Sequence, residues 1–95
     1  MTLERVFAYI DDNLERALAE VVEYCKLPTV SAHATAIDET AQHTLRLLAA
    51  EVFDARALPK HEPGFPGVYA EHAGRSPKTM LFYNHYDVQP PDPQE

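Results

Sequence analysis

The sequence predicts a mixed α/β fold in which two amphipathic helices precede three short strands of a mixed sheet. Apolar residues recur every three or four positions over residues 3–25 and again over residues 37–52, which is the spacing of one helical face. After Asp54 this period is lost, and residues 79–83 form an unbroken apolar run that is typical of a buried strand. A chain of 95 residues has room for one domain.

The first helix is predicted to begin after Thr2 and to end before Pro28. Threonine is a good N-terminal cap, and the residue that precedes a proline avoids the helical region. Lys26 suits the negative end of the helix dipole. Cys25 lies on the apolar face, so we expect it to pack in the core and not to act as a nucleophile.

The second helix is predicted to begin at a capping box formed by Thr35 and Asp38 and to end near Phe53. The short connection between the helices predicts that they pack side by side as an antiparallel pair. No glycine separates the second helix from the next strand, so we expect Asp54 to adopt the left-handed conformation.

The strands are predicted at Ala55–Leu58, at Val68–Ala70 and at residues 79–83. Glycine and proline fill the connection between the first two strands, as expected of a loop. The third strand is apolar throughout, so we expect it to be central and buried on both faces. Two helices cover only one face of such a sheet. The sequence therefore predicts a second face that residues 1–95 do not cover.

Charge and cysteine content exclude some classes of partner and indicate a cellular compartment. The chain has 15 Asp and Glu against 8 Lys and Arg, a formal net charge of -7. Such a surface repels nucleic acid and anionic membranes, and neither is expected as a partner. The single cysteine cannot form an internal disulfide, and we see no leader peptide and no apolar run of about 20 residues. We therefore expect a cytoplasmic protein.

The residues with the clearest chemical signal are His85 and Asp87, directly after the apolar run. One residue separates them, so extended backbone projects both side chains to the same side, where the carboxylate can reach an imidazole nitrogen. A histidine that a carboxylate orients is a common ligand of zinc, manganese or cobalt. A His-x-Asp pattern also occurs by chance at protein surfaces, and the spacing does not exclude that interpretation.

The surrounding sequence adds specificity to this pair. The segment Tyr83–Pro93, with Tyr-Asp-Val-Gln-Pro at residues 86–90, resembles the hallmark segment of the zinc-dependent aminoacylase, dipeptidase and succinyl-diaminopimelate desuccinylase family of metallopeptidases. It is most similar to the carnosinase-like and cytosolic non-specific dipeptidase branch. Upstream, the long first helix, the segment 27–32, the second helix and the segment 67–70 follow the order found in that family. Asn84 departs from the pattern, because the family most often has glycine there.

The resemblance implies that residues 1–95 are the incomplete N-terminal portion of a two-metal peptidase catalytic domain. It implies that His85 is a ligand of one of two Zn²⁺ ions, with Mn²⁺ or Co²⁺ as alternatives, and that Asp87 is the catalytic carboxylate that orients His85. The substrate would be a dipeptide or an N-acyl amino acid. The family's other metal ligands and its general base follow the hallmark segment in sequence, so we expect residues 1–95 to be inactive by themselves.

A non-enzymatic interaction module is the alternative. An apolar strand with an open edge is a template for association. A chain of this kind would pair with a second copy of itself, as a homo-oligomer, or with a separately encoded remainder. A complete small hydrolase is disfavoured, because a catalytic zinc site needs more ligands than this chain offers.

The remaining candidates have plainer interpretations. His33 and His43 have no partner at metal spacing, and we expect them to be solvated. His61 and His72 flank the second strand in loops, where a surface position is expected, with contact to a substrate in a complete enzyme as the alternative. Ser31 lacks the Gly-x-Ser-x-Gly pattern of a serine nucleophile, and Asp92 is interpreted as a residue of a turn or of a polyproline II segment.

Overall fold

The computed structural model describes residues 2–30, 33, 35–59 and 64–90, with the elements α1 (Leu3–Cys25), α2 (Ile37–Ala50), β1 (Asp54–Ala57) and β2 (Val68–Glu71). The mixed α/β class is confirmed. Neither helix among these residues has the length and hydropathy to cross a bilayer.

The limits of α1 agree with the prediction. The Thr2 hydroxyl accepts a hydrogen bond from the Arg5 backbone N–H at 3.3 Å, which caps the first turn. At the other end, Lys26 is the C-terminal cap, and its backbone N–H bonds the Val22 carbonyl at 3.2 Å. Its ammonium also lies 2.7 Å from the Glu23 carboxylate. This cation lowers the pKa of Glu23, first through the hydrogen bond and then through its charge.

The apolar face of α1 is not covered by the described part of the chain. No residue of α1 is buried. Its large apolar side chains are between 48% and 68% exposed: Leu3, Phe7, Ile10, Leu14, Leu18, Val21 and Val22. The predictions of an antiparallel helix pair and of a packed Cys25 are therefore wrong, since Cys25 is exposed as well. Hydrophobic spacing identifies the face that a helix buries, but it does not identify the surface that covers it.

The start of α2 also differs from the prediction. The N-terminal cap is Ala36, which has left-handed backbone (φ 52°, ψ 21°) and makes no side-chain capping bond. The predicted capping box is wrong, because the Thr35 hydroxyl instead donates to the His33 carbonyl at 3.3 Å. The Ala36 carbonyl accepts both the backbone N–H of Thr40, at 3.0 Å, and its hydroxyl, at 2.7 Å. The helix ends at Ala50, earlier than the predicted end near Phe53.

The substitution Ala36→Gly is expected to stabilise the chain by about 0.5–1 kcal/mol. A left-handed backbone strains alanine but not glycine, and part of this gain is offset by the greater freedom of glycine in the unfolded chain. Urea unfolding followed by circular dichroism measures the change. The matched control is Ala49→Gly, inside α2, which should destabilise by about 0.5–1 kcal/mol. A loss of stability in Ala36→Gly would contradict the assigned backbone.

The two strands form one antiparallel pair that packs against α2. Asp54 lies opposite Glu71, and Ala57 lies opposite Val68. Both strands contact α2, and the Leu58 N–H extends the pairing to the Gly67 carbonyl at 2.8 Å. These are the first two predicted strands. The expectation of left-handed backbone at Asp54 is wrong, since Ala36 has the one positive φ among the described residues.

The third predicted strand, residues 79–83, is not formed in the described structure. Its large apolar side chains are between 78% and 85% exposed: Met80, Leu81, Phe82 and Tyr83. An apolar run of this kind favours a buried strand, but a strand also requires a neighbour that accepts and donates its backbone hydrogen bonds. Within the described residues, β1 and β2 pair only with each other.

The core lies where the loop before α2 meets the beginning of that helix. Its buried members are Thr29, Val30, Ile37, Thr40 and Ala41. Val30 forms an antiparallel bridge with Thr35 and a parallel bridge with Val88. The Val88 N–H donates to the Thr29 carbonyl at 2.9 Å. The chain therefore returns to the core directly after the exposed apolar run, and this return positions the candidate site.

Candidate metal and ligand site

The predicted contact between His85 and Asp87 is present. The distance from His85 Nδ1 to Asp87 Oδ1 is 3.0 Å, and the two side chains are 70% and 35% exposed. When Nδ1 carries the proton it donates to the carboxylate, and the lone pair of Nε2 is then available to a ligand. The His85 ring also meets the edge of Tyr83, with ring centroids 5.6 Å apart.

Two hydrogen bonds on either side of Asp87 fix the local backbone. On one side, the Tyr86 hydroxyl donates to the Pro66 carbonyl at 2.5 Å. On the other side, the Val88 N–H donates to the Thr29 carbonyl. Tyr86 and Asp87 are both partly buried, whereas His85 is exposed. The Asp87 carboxylate is therefore attached to a backbone segment that hydrogen bonds restrain on both sides.

The Tyr86 phenol is held in its protonated form. Burial raises the pKa of Tyr86 above its ordinary value of about 10, and the negative charges of Asp38 and then Asp87 raise it further. The Tyr86 hydroxyl consequently remains protonated, and a donor to Pro66, at all pH values below about 10. The effect of Asp38 also places a second carboxylate in the electrostatic neighbourhood of the site.

A cavity of about 230 Å³ adjoins this pair, lined by Ile37, Phe65, Pro66, Tyr86 and Asp87. Four of these residues are apolar or aromatic and one is a carboxylate, which is the usual composition of a small-molecule site. The prediction from sequence did not include the four others. Tyr86 lies between His85 and Asp87 in the sequence, and this proximity is the signal that could have indicated it.

The other histidines do not join this site in the described residues. His33 and His72 are exposed, as predicted. His43 was predicted to be solvated, and this is wrong: it is half-buried, and its ring meets that of Tyr24 at 5.4 Å. Its Nε2 is buried without a hydrogen-bond partner in the described structure.

For three other residues considered in the sequence analysis, the structure gives no description. His61, Ser31 and Asp92 lie outside the described residues. Among the described residues, no three His, Cys, Asp or Glu side chains are grouped as the ligands of a metal ion. The structure thus brings together the two predicted site residues and no third ligand from this part of the chain.

Comparison with family models, with curated proteins and with solved structures gives no match to this chain. The metallopeptidase resemblance is therefore a hypothesis that depends on the segment around His85 and Asp87.

Proposed function

We propose that this chain is part of a metal-dependent dipeptidase or amidohydrolase, in which His85 binds a divalent cation and Asp87 orients that imidazole. The observation that supports this most directly is the 3.0 Å contact between Nδ1 and Oδ1 on an exposed histidine. Carboxylates in this position fix the tautomer of metal-binding histidines and raise their basicity. A purely structural ion pair would not require the second imidazole nitrogen to be accessible.

The donor set fits Zn²⁺ in chemical type, with Mn²⁺ or Co²⁺ as alternatives. An imidazole nitrogen is a preferred ligand of these ions, and a nearby carboxylate is a common partner. When bound, such an ion acidifies a water molecule and polarises the carbonyl of the scissile amide. In this proposal His85 binds the ion and Asp87 orients the His85 imidazole. The hydrogen bond of Tyr86 restrains the backbone between these two residues.

Catalysis by this site requires further ligands. Catalytic zinc sites use three protein ligands, whereas the described residues contribute one imidazole and its supporting carboxylate. We therefore propose that the site is completed by residues other than the two described here. By itself, the 95-residue chain should bind zinc weakly and should not hydrolyse dipeptides.

Titration of the chain with Zn²⁺, followed by NMR of its histidine side chains, tests the role of His85. We expect the His85 signals to move first among the five histidines of the chain, because its imidazole is both accessible and oriented. Asp87→Asn should weaken this binding about 10- to 100-fold, since it removes the group that fixes the tautomer. Dipeptide hydrolysis should be undetectable in the same samples.

His72 provides the matched control, because it is an exposed histidine in a loop. His72→Gln should leave zinc binding unchanged, whereas His85→Gln should remove the first binding event. Equal responses of His72 and His85 to zinc would contradict a specific site. Clear dipeptide turnover by the 95-residue chain would contradict the need for additional ligands.

A cytoplasmic location is part of this proposal. The single Cys25 leaves no internal disulfide that an oxidising compartment would have to form. Its exposed position in the structure also suits a reducing environment.

An interaction module is the second candidate function, and one observation favours it. The consecutive apolar side chains of residues 80–83 are more exposed than those of any other large apolar group in the described chain. Exposed apolar surface with unpaired backbone is typical of a surface that binds another chain. The partner would be a second copy or a separately encoded chain that adds a strand beside residues 80–83.

A further inference from the structure

The residues that line the cavity beside Asp87 favour a ligand with a positive charge. Its described lining is apolar or aromatic at Ile37, Phe65, Pro66 and Tyr86, and among the described residues Asp87 is the one charged group that lines it. The Tyr86 hydroxyl already donates its hydrogen bond to the Pro66 carbonyl. A ligand in this cavity therefore meets apolar surface and a carboxylate.

The electrostatic surroundings reinforce that carboxylate. Asp38 lies close enough for its charge, together with that of Asp87, to act on Tyr86. The chain as a whole has a formal net charge of -7. Cations are attracted to such a surface and anions are repelled. The aromatic faces of Phe65 and Tyr86 add to the attraction, because the π face of an aromatic ring is negative.

The dimensions limit the size of the ligand. The cavity volume of about 230 Å³ lies below the range of about 300–1,000 Å³ that is typical of pockets for drug-sized molecules. The Phe65 side chain is 46% exposed, so one wall is open to solvent. A small ligand with an apolar body and one polar end fits these limits.

We propose that this cavity binds small organic ammonium ions, with the ammonium group on the Asp87 carboxylate and an apolar or aromatic body against Phe65, Ile37 and Pro66. In the context of the proposed function, on which this extension rests, the ligand is the free amino end of a substrate. The cavity then favours dipeptides over N-acyl amino acids, because acylation removes the positive charge of the amine.

The test uses the whole chain without metal, in the presence of EDTA, and three probes of similar shape: 2-phenylethylamine, 2-phenylethanol and 3-phenylpropionate. NMR titration monitors the signals of Phe65, Tyr86 and Ile37. We expect millimolar binding of the amine, about tenfold weaker binding of the alcohol and no binding of the acid. Equal affinity for the amine and the alcohol would overturn the proposal.

Variants separate the local carboxylate from the overall charge. Asp87→Asn should lower the affinity for the amine about tenfold and leave the alcohol unaffected. The matched control is Asp12→Asn, which removes the same charge from the exposed middle of α1, roughly 18 Å along the helix from Tyr24. Equal effects of the two substitutions would overturn the assignment to Asp87.

A second variant keeps the test independent of any change in folding at Asp87. Phe65→Ala removes a half-exposed ring and should weaken amine binding severalfold with little effect on stability. Unchanged amine binding in this variant would overturn the proposed cavity.

The experiments distinguish a failure of the proposed metal site at His85 from a failure of the proposed ammonium site at Asp87. Zinc binding at His85 without amine binding in EDTA rejects the cavity proposal only. Amine binding in EDTA without any preference of zinc for His85 supports the cavity proposal and rejects the metal site.

Discussion

Ile37→Ala should destabilise the folded chain by about 2–4 kcal/mol, and we expect this to be the largest effect of any single truncation in the described residues. Ile37 is 4% exposed, begins α2 and forms one wall of the cavity. The substitution removes buried methyl and methylene groups and leaves a void that the adjacent backbone fills only in part. Small domains have total stabilities of about 5–15 kcal/mol, so a substantial fraction would be lost.

Urea unfolding of the variant, followed by circular dichroism, provides the measurement. The matched control is Ile10→Ala, which makes the same chemical change at a 49% exposed position of α1. This control should change the free energy of unfolding by less than about 1 kcal/mol, because little apolar area is lost and alanine favours the helix. Equal losses in the two variants would contradict the location of the core beside the start of α2.

If the chain is an interaction module, the double substitution of Leu81 and Phe82 by aspartate should weaken its association at least about 100-fold. Both side chains are exposed in the apolar run. Each would become a charged group that the interface must desolvate, and a loss of about 2.7 kcal/mol corresponds to this factor. Light scattering as a function of concentration measures the association of the parent chain and of the variant.

The control for this experiment is Leu18→Asp, on the exposed face of α1. It leaves residues 80–83 intact and should leave the dimer in place. A well-defined dimer with a sharp thermal transition supports the module, and its loss in the double variant locates the interface. A monomeric parent chain, or non-specific aggregation with a poorly cooperative melt, contradicts the module.

Local rules predicted much of the fold. Thr2 and Pro28 set the limits of α1 because capping and the restriction before proline act within a few residues. The same is true of β1 and β2, which glycine and proline delimit. The contact of His85 with Asp87 also follows from local geometry, since the alternation of extended backbone is enough to bring two side chains together.

Features that depend on distant parts of the chain could not be predicted in this way. Cys25 and residues 79–83 have the pattern of buried residues, but the described chain provides no surface that covers them. Ala36 caps α2 through backbone conformation, which a search for capping side chains does not detect. The burial of His43 results from Tyr24, nineteen positions earlier, and no local signal in the sequence indicates that contact.

The hydrogen bonds of Tyr86 and Val88 affect how much conformational entropy Asp87 and His85 each lose when a ligand binds. They restrict the backbone of Asp87 before any ligand arrives. His85 precedes both anchors, and its side chain is mostly in solvent. Immobilising such a side chain costs roughly 0.5–1.5 kcal/mol in conformational entropy. A ligand of the carboxylate therefore meets a group on restrained backbone, whereas a ligand of the imidazole meets a ring that one side-chain contact orients and that still loses part of its freedom on binding. Of the two groups, Asp87 is the rigid half of the site and His85 the adaptable half.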